Sequence, residues 1–363
     1  MDRLFPVLVF VILFSSCRKA DSDFIWEKTY GTGEAFFVKA TSDSGFIASG
    51  EKEGKPYIIR FDKKRNKVID FTSDEKGLCS SVWFDATCYI SGGNAGGKML
   101  LMRHGRNGKI VWDTTLAAGF KIDFTNLVYS GNGNFLAVGT ASADSSESET
   151  ATLLFVRFDT TGLINTKVEI SGTGFVSASK VVTDKDGNIF LAITRSGSGT
   201  RSKASVAKFN SQFQKMWETE LYNNPDFGAS CLDIQLDDAG VLYVSGKTEL
   251  SQKEGIINNS FLASLGNSGS IRWKKYFELT NEGSSLIIND KDLLVMLNMN
   301  CFILNIVNPG DGSDAGRIRV LDACNAKDGD AKGKDIDQLF TGDMLLAGSK
   351  GGNFYLALKS FDY

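Results

Sequence analysis

One phrase recurs along this chain and constrains it more than any single residue. A hydrophobic run ends in a Phe-Asp-like pair, a Gly or Asn turn follows, and a second landmark comes eight residues after the first, often as Trp. It reads Phe61 to Ile69, His104 to Trp112, Phe158 to Thr166, Phe209 to Trp217 and Leu265 to Trp273. Self-similarity at a period of this size is the mark of a repeat architecture, in which each unit buries its face against its neighbours.

A second phrase, short and alternating, falls between these landmarks. Gly45-Phe46-Ile47-Ala48-Ser49-Gly50 opens the series, and runs starting at Cys88, Phe135, Ile189, Val241, Leu293 and Met344 continue it, making seven. Runs this short, rich in β-branched and aromatic residues and bounded by Gly, Asn and Asp, are strands. A third strand follows each of them, and the Trp-bearing segment supplies a fourth. With landmarks at 26, 69, 112, 166, 217, 273 and about Val320, the steps are 43, 43, 54, 51, 56 and 47 residues. Four strands in about 40–50 residues is the size of one propeller blade.

The expected fold is therefore all-β: a seven-bladed β-propeller of four-stranded antiparallel blades over residues 24–363. The two ends agree with this. The seventh unit stops after its third strand near Tyr363, and an orphan Trp-type strand, Phe24 to Tyr30, precedes the first unit. Joined to the last blade, that strand closes the ring and removes the edges an open array would expose. Three polar insertions, 141–150, 195–203 and 248–258, all fall between second and third strands, so they are expected on one face. Insertions clustered this way mark a candidate binding face.

Composition narrows the partners. The chain has 363 residues, 23% charged, with 26 Phe, 38 Gly, 4 Pro and a net charge of −3. That suits a strand-and-turn globular protein and gives no basic surface for nucleic acid. The first sixteen residues read as a targeting segment. Arg3 precedes an apolar run of eleven residues, Leu4 to Phe14, which is too short to span a bilayer as a helix. Small residues Ser15 and Ser16 then lead into Cys17.

This start resembles a bacterial lipoprotein signal, in which cleavage exposes the cysteine for acylation; Cys17 is then the lipidation site and 17–23 a tether. Arg18-Lys19-Ala20-Asp21-Ser22-Asp23 is similar to the export signal of some Bacteroidota surface lipoproteins. The repeat itself, Trp26 to Gly31 with Asp43 to Gly50 and Ile59 to Asp62, resembles β-propeller proteins of that phylum. It is also similar to quinoprotein-like repeats, in which a Gly before a Trp helps one blade dock on the next. On that resemblance Trp26, Trp112, Trp217 and Trp273 are docking residues, with Gly108 and Gly269 as partners, while Ile69, Thr166 and Val320 depart from the pattern.

Candidate chemistry is sparse. The single histidine, His104, occupies a slot that Phe fills in other repeats, so a repeat-core or surface substitution is favoured over a catalytic base. Thr183 to Asn188 begins like a calcium loop but has Arg195 where the twelfth ligand belongs, and the repeat makes it a turn. No metal site, catalytic residue or cofactor is expected. Cys301 and Cys324 would face each other across a hairpin if Val307 lies opposite Ile318, and a disulfide there is expected. Two functions remain. One is a lipid-anchored scaffold at the bacterial outer membrane, on its periplasmic or cell-surface side, binding an envelope protein or a glycan. The other is a polysaccharide hydrolase or lyase with carboxylates at the channel mouth.

Overall fold

The structure is a computed structural model. It describes residues 24–361 apart from 86, 118–120, 143–150, 172–174, 197–200, 223–226, 253–254, 278–282, 290, 292–293, 299–301 and 321–330. Five four-stranded antiparallel sheets and one seven-stranded sheet make up the molecule. The seven-stranded sheet is two blades sharing one long strand, Phe24–Ala40. Its first part pairs with Asn353–Lys359, setting Trp26 opposite Leu358, and its second part pairs with Phe46–Lys52. The N-terminal strand thus completes the last blade and then becomes the innermost strand of the first. Seven blades result, and the ring is closed.

The core is divided among the blade interfaces. Phe46, Phe61 and Tyr57 of blade 1 pack with Phe354, Leu356 and Leu358 of blade 7. Similar mixed clusters join each remaining pair of neighbours around the ring. A blade therefore buries little by itself, which is why the sequence must repeat.

Strand direction gives the two faces different characters. Turns between first and second strands, such as Thr41 to Gly45, and between third and fourth strands, such as Asp62 to Asn66, lie on what we term the turn face. Connections between second and third strands lie on the opposite loop face, as do the links between blades. The strands flanking all three insertions end on the loop face. The one expected at 248–258 is not a loop: Leu242–Gln252 pairs with Gly255–Leu265 out to Gln252 and Gly255, so it lengthens a hairpin of blade 5.

Two registers differ from the sequence reading. In blade 6 the slot of Trp112 and Trp273 belongs to Gly316, opposite Ile306, and not to Val320. In the same strand pair Leu304, not Val307, lies opposite Ile318, so the register behind the expected disulfide does not hold. Cys301 and Cys324 themselves lie outside the described residues, as does Cys17.

Candidate functional site

The innermost strand of every blade carries a β-bulge at the same place. The pairing skips one residue between Ala35 and Phe37, and likewise before Ser81, Asn126, Lys180, Asp233, Ser285 and Asp335. A bulge bends its strand and increases the local twist, and here it sets one residue per blade around the central channel. The recurring glycine at the end of the second strand is the other half of this device. A Cβ on Gly50 would lie 2.0 Å from the carbonyl oxygen of Glu34, so blade 1 needs glycine there, whereas Ile193 and Asn298 hold the same register slot in blades 4 and 6.

The residues after the bulges form a hydrogen-bonded chain from blade to blade. Ser81 Oγ donates to Asn126 Oδ1 at 2.7 Å, and Asn126 Nδ2 donates to the Val181 carbonyl at 3.4 Å. Lys180 pairs with Asp233 at 3.7 Å. Asp233 Oδ2 accepts from Leu286 N at 2.8 Å and lies 3.0 Å from Ser285 Oγ, which is 2.7 Å from Asp335 Oδ1. Asp335 Oδ2 accepts from Val38 N at 2.9 Å and so reaches the first blade. Two residues farther along, Asp337 accepts from Lys39 Nζ at 2.9 Å and from Ala40 N at 2.7 Å.

The Ser285 hydroxyl has one proton for two carboxyl groups. Asp233 is well supplied with donors, taking Ile234 N at 2.7 Å in addition to Leu286 N and Lys180. Among the described residues, Asp335 has only Ser285 at Oδ1. The arrangement is satisfied when Asp335 carries a proton and donates to Ser285, which donates to Asp233. Burial pushes the Asp335 carboxyl above the usual carboxylate range, against the pull of Lys180 and with the help of Asp233. Burial opposes the charge of Lys180, but Asp233, Asp335 and Asp337 together hold its ammonium above the ordinary value.

A cavity of about 700 Å³ opens from this channel toward the turn face. Lys39, Asp237, Asp238 and Asp337 stand along one part of it and Val128, Val182, Ile287 and Ile288 along another. Among the described residues, no three His, Cys, Asp or Glu side chains gather as metal ligands. The Asp-Gly turns are closed instead by their own bonds: Asp184 Oδ1 accepts from Asp186 N and Asn188 N.

His104 sits in the register slot of Phe61 and Phe158. Its Nδ1 donates to the Gly108 carbonyl at 3.3 Å, leaving Nε2 to accept from Ser91 Oγ at 3.2 Å. Burial lowers its pKa to about 4. A neutral, 2% exposed imidazole of this kind is a core residue. The thiols of Cys79 and Cys231 are likewise buried, which raises them to about 11 and about 12, so neither is poised as a nucleophile.

Three tryptophans dock blades 2, 4 and 5 on the blade that follows. Trp112 Nε1 donates to the Thr160 carbonyl of blade 3 at 3.0 Å, Trp217 Nε1 to Asn267 at 3.1 Å and Trp273 Nε1 to Pro309 at 2.9 Å. Each indole lies on a turn glycine of that next blade: Gly162, Gly269 and Gly312 respectively. Gly108 serves Ile69 in the same way. The glycine partner is therefore that of the following blade and not, as the sequence suggested, the one preceding the Trp in its own turn. Trp26 packs edge-on against Phe46 and Phe61 of blade 1, at 5.6 and 5.3 Å between centroids.

Sequence reasoning missed the bulge ring and Trp83, which stacks on Tyr129 at 4.9 Å. A signal was present: Phe37, Asn126, Asp233 and Asp335 each precede the glycine of the following strand by thirteen residues. The residue types at that position are too varied for the eye to align.

No protein-family model and no curated protein matches the chain. Solved structures do. It is similar to the WD40 domain of Neurospora crassa Pan2, at 11% identity and a TM-score of 0.59, covering 93% of this chain and 96% of that one. A streptogramin B lyase aligns at 10% identity with a TM-score of 0.62, over 92% and 98% of the two chains. A GH93 α-L-arabinofuranosidase of Fusarium graminearum aligns at 10% and 0.53, over 75% and 89%. At such identities the likeness concerns the fold. The chain is a β-propeller.

Proposed function

We propose that this protein is a lipid-anchored envelope propeller of the bacterial outer membrane that binds a protein or glycan partner on its loop face. The propeller neighbours include a WD40 domain and two enzymes, so the fold alone does not choose between binding and turnover. The observation that carries the choice is how the channel carboxylates are used. Asp233, Asp335 and Asp337 do converge, as a glycan-cleaving channel would require, but they are 0%, 6% and 7% exposed. Backbone N–H groups of neighbouring strands take oxygens of all three. Acid–base attack on a glycosidic bond needs a carboxyl pair open to substrate; these three are occupied in holding blades together, and Asp237 at the channel mouth is taken up by Val241 N and the Tyr243 hydroxyl. The lengthened hairpin of blade 5, and the loop-face strand ends from which the insertions of blades 3 and 4 leave, support that face as the varied part of the repeat.

The anchor rests on Leu4 to Phe14 and on Ser15-Ser16-Cys17, and the tether on 17–23. The test of binding is a pull-down from native membranes, cross-linked through the segments 141–150 and 248–258, beside a variant with 248–258 shortened. A partner recovered with the wild type and lost with the short hairpin is expected. Recovery of none, together with measurable glycan turnover, would overturn the scaffold reading.

A further inference from the structure

The apolar surface of the ring is concentrated on one face. Among the described residues, ten of the eleven large hydrophobic side chains left exposed belong to the turn face or its rim, with Tyr276 the exception. Most stand at the start of an outermost strand. Charge divides this rim. In the third-to-fourth-strand turns of blades 1 and 2, Lys63, Lys64, Arg65, Lys67, Arg106 and Lys109 stand against one acid, Asp62. The matching turns of blades 3 to 6 carry Asp159, Lys215, Asp311 and Asp314 as their only charges. The basic sector is also where the rim exposes Ile25, Val68, Ile110 and Val111, each 42–58% accessible.

From this juxtaposition we infer that the turn-face rim of blades 7, 1 and 2 is a docking surface for an anionic lipid bilayer; this rests on acylation of Cys17. Phe24, the first described residue, lies at the same rim, beside Ile25 and opposite Lys359. From Cys17 the tether reaches at most about 24 Å, at about 3.3–3.6 Å per residue. Seating the loop face on the membrane would take the tether along Phe24 to Thr32, a height of about 26 Å over eight steps at about 3.3 Å each, at or beyond that limit. The turn face is therefore the side within reach. Basic side chains beside apolar ones are the combination that binds an anionic interface, with the charges attracted to headgroups and the apolar groups entering between them. Asp237 and Asp238 at the channel mouth are repelled by the same surface, which tilts the ring toward blades 7 to 2. The loop face then points away from the membrane, toward the partner.

Lysine footprinting of the full acylated protein tests this, on protein-free vesicles containing phosphatidylglycerol and in detergent micelles. On vesicles, acylation of Lys63, Lys64 and Lys109 by a soluble amine reagent should slow by about threefold or more. Lys76 and Lys98, exposed on the loop face, should keep their rates. The variant K63E/K64E/V111D, altered only at exposed positions, should remain anchored while Lys109 loses its protection. Unchanged rates at Lys63, Lys64 and Lys109, equal slowing on both faces, or protection confined to native membranes would each overturn the inference; the last would point to a protein on this rim. The anchor is tested separately, because membrane retention of the Cys17→Ser chain would count against acylation whatever the footprint shows.

Discussion

A Cβ placed on Gly162 would lie 3.0 Å from the indole of Trp112, whose Nε1 is bonded to the carbonyl of Thr160 two residues earlier in the same turn. That contact fastens blade 2 to blade 3. Gly162 also has φ of +86°, so a side chain there meets both a neighbour and an unfavourable backbone. Gly162→Ala should lower unfolding free energy by about 1–3 kcal/mol. Trp112→Ala should cost about 2–4 kcal/mol through lost packing. Equilibrium denaturation measures both, and the two losses should not add, because one interaction is removed twice.

Between blades 3 and 4 the size relation is reversed. Thr166 stands in the tryptophan slot, and the next blade's turn has Phe213, at φ +65°, where blades 2, 3, 5 and 6 have glycine. Phe213 packs on Phe155 at 5.1 Å, beneath the Arg157 guanidinium at 4.5 Å, and Arg157 is the cross-strand partner of Thr166. Thr166→Trp and Phe213→Gly should each destabilise the protein, while the double variant should exceed the sum of the two by about 1–3 kcal/mol of coupling. Additive losses would contradict the exchange of sizes.

His104 gives the fold an acid-sensitive interior. Its pKa is about 4 when folded and near 6.5 in an unfolded chain. The unfolded state takes up the proton first, so stability is lost as pH falls from about 6.5 to about 4 and this loss is complete below that. At about 1.4 kcal/mol per unit it approaches about 3 kcal/mol. His104→Phe, the residue of the equivalent slots, should abolish this part of the pH dependence in urea titrations between pH 4 and 6.5, even though Ser91 loses its acceptor.

The proton between Asp335 and Ser285 makes the two channel aspartates unequal. The Asp335 carboxyl is raised, so its contribution to stability is full below an ordinary carboxylate pKa near 4 and is lost as pH rises through its folded value. Asp335→Asn carries a permanent donor to Ser285 and still accepts from Val38, so it should be tolerated at neutral pH and flatten that dependence. Asp233→Asn removes the charge opposite Lys180 and should cost about 3 kcal/mol or more. Thermal denaturation of both variants at pH 5 and pH 8 separates them; equal effects would contradict the assigned proton.

The architecture was legible in the sequence because turns and cores repeat with it. The eight-residue spacing is a third strand, a tight turn and the first residues of a fourth, and the glycine ending Phe46 to Gly50 marks where the inner strand bulges. The channel was not legible. Its ring position holds Phe, Ser, Asn, Lys, Asp, Ser and Asp in turn, since what is kept there is a chain of bonds between different blades and not a residue type. The reversal at Thr166 and Phe213 escaped for a related reason: the compensating residue lies 47 positions away, in another blade. Val320 was misplaced because blade 6 has a glycine, Gly316, in the slot where a large residue was sought.

The proposed function depends most on acylation of Cys17, which would make the closed ring an envelope protein and set which face meets the membrane. Metabolic labelling with an alkyne-tagged palmitate, followed by membrane fractionation, examines it directly in the wild type and in Cys17→Ser. The account predicts a labelled, membrane-bound wild type and an unlabelled variant released from membranes. An unlabelled wild type, or a Cys17→Ser chain retained in the membrane fraction, would contradict it.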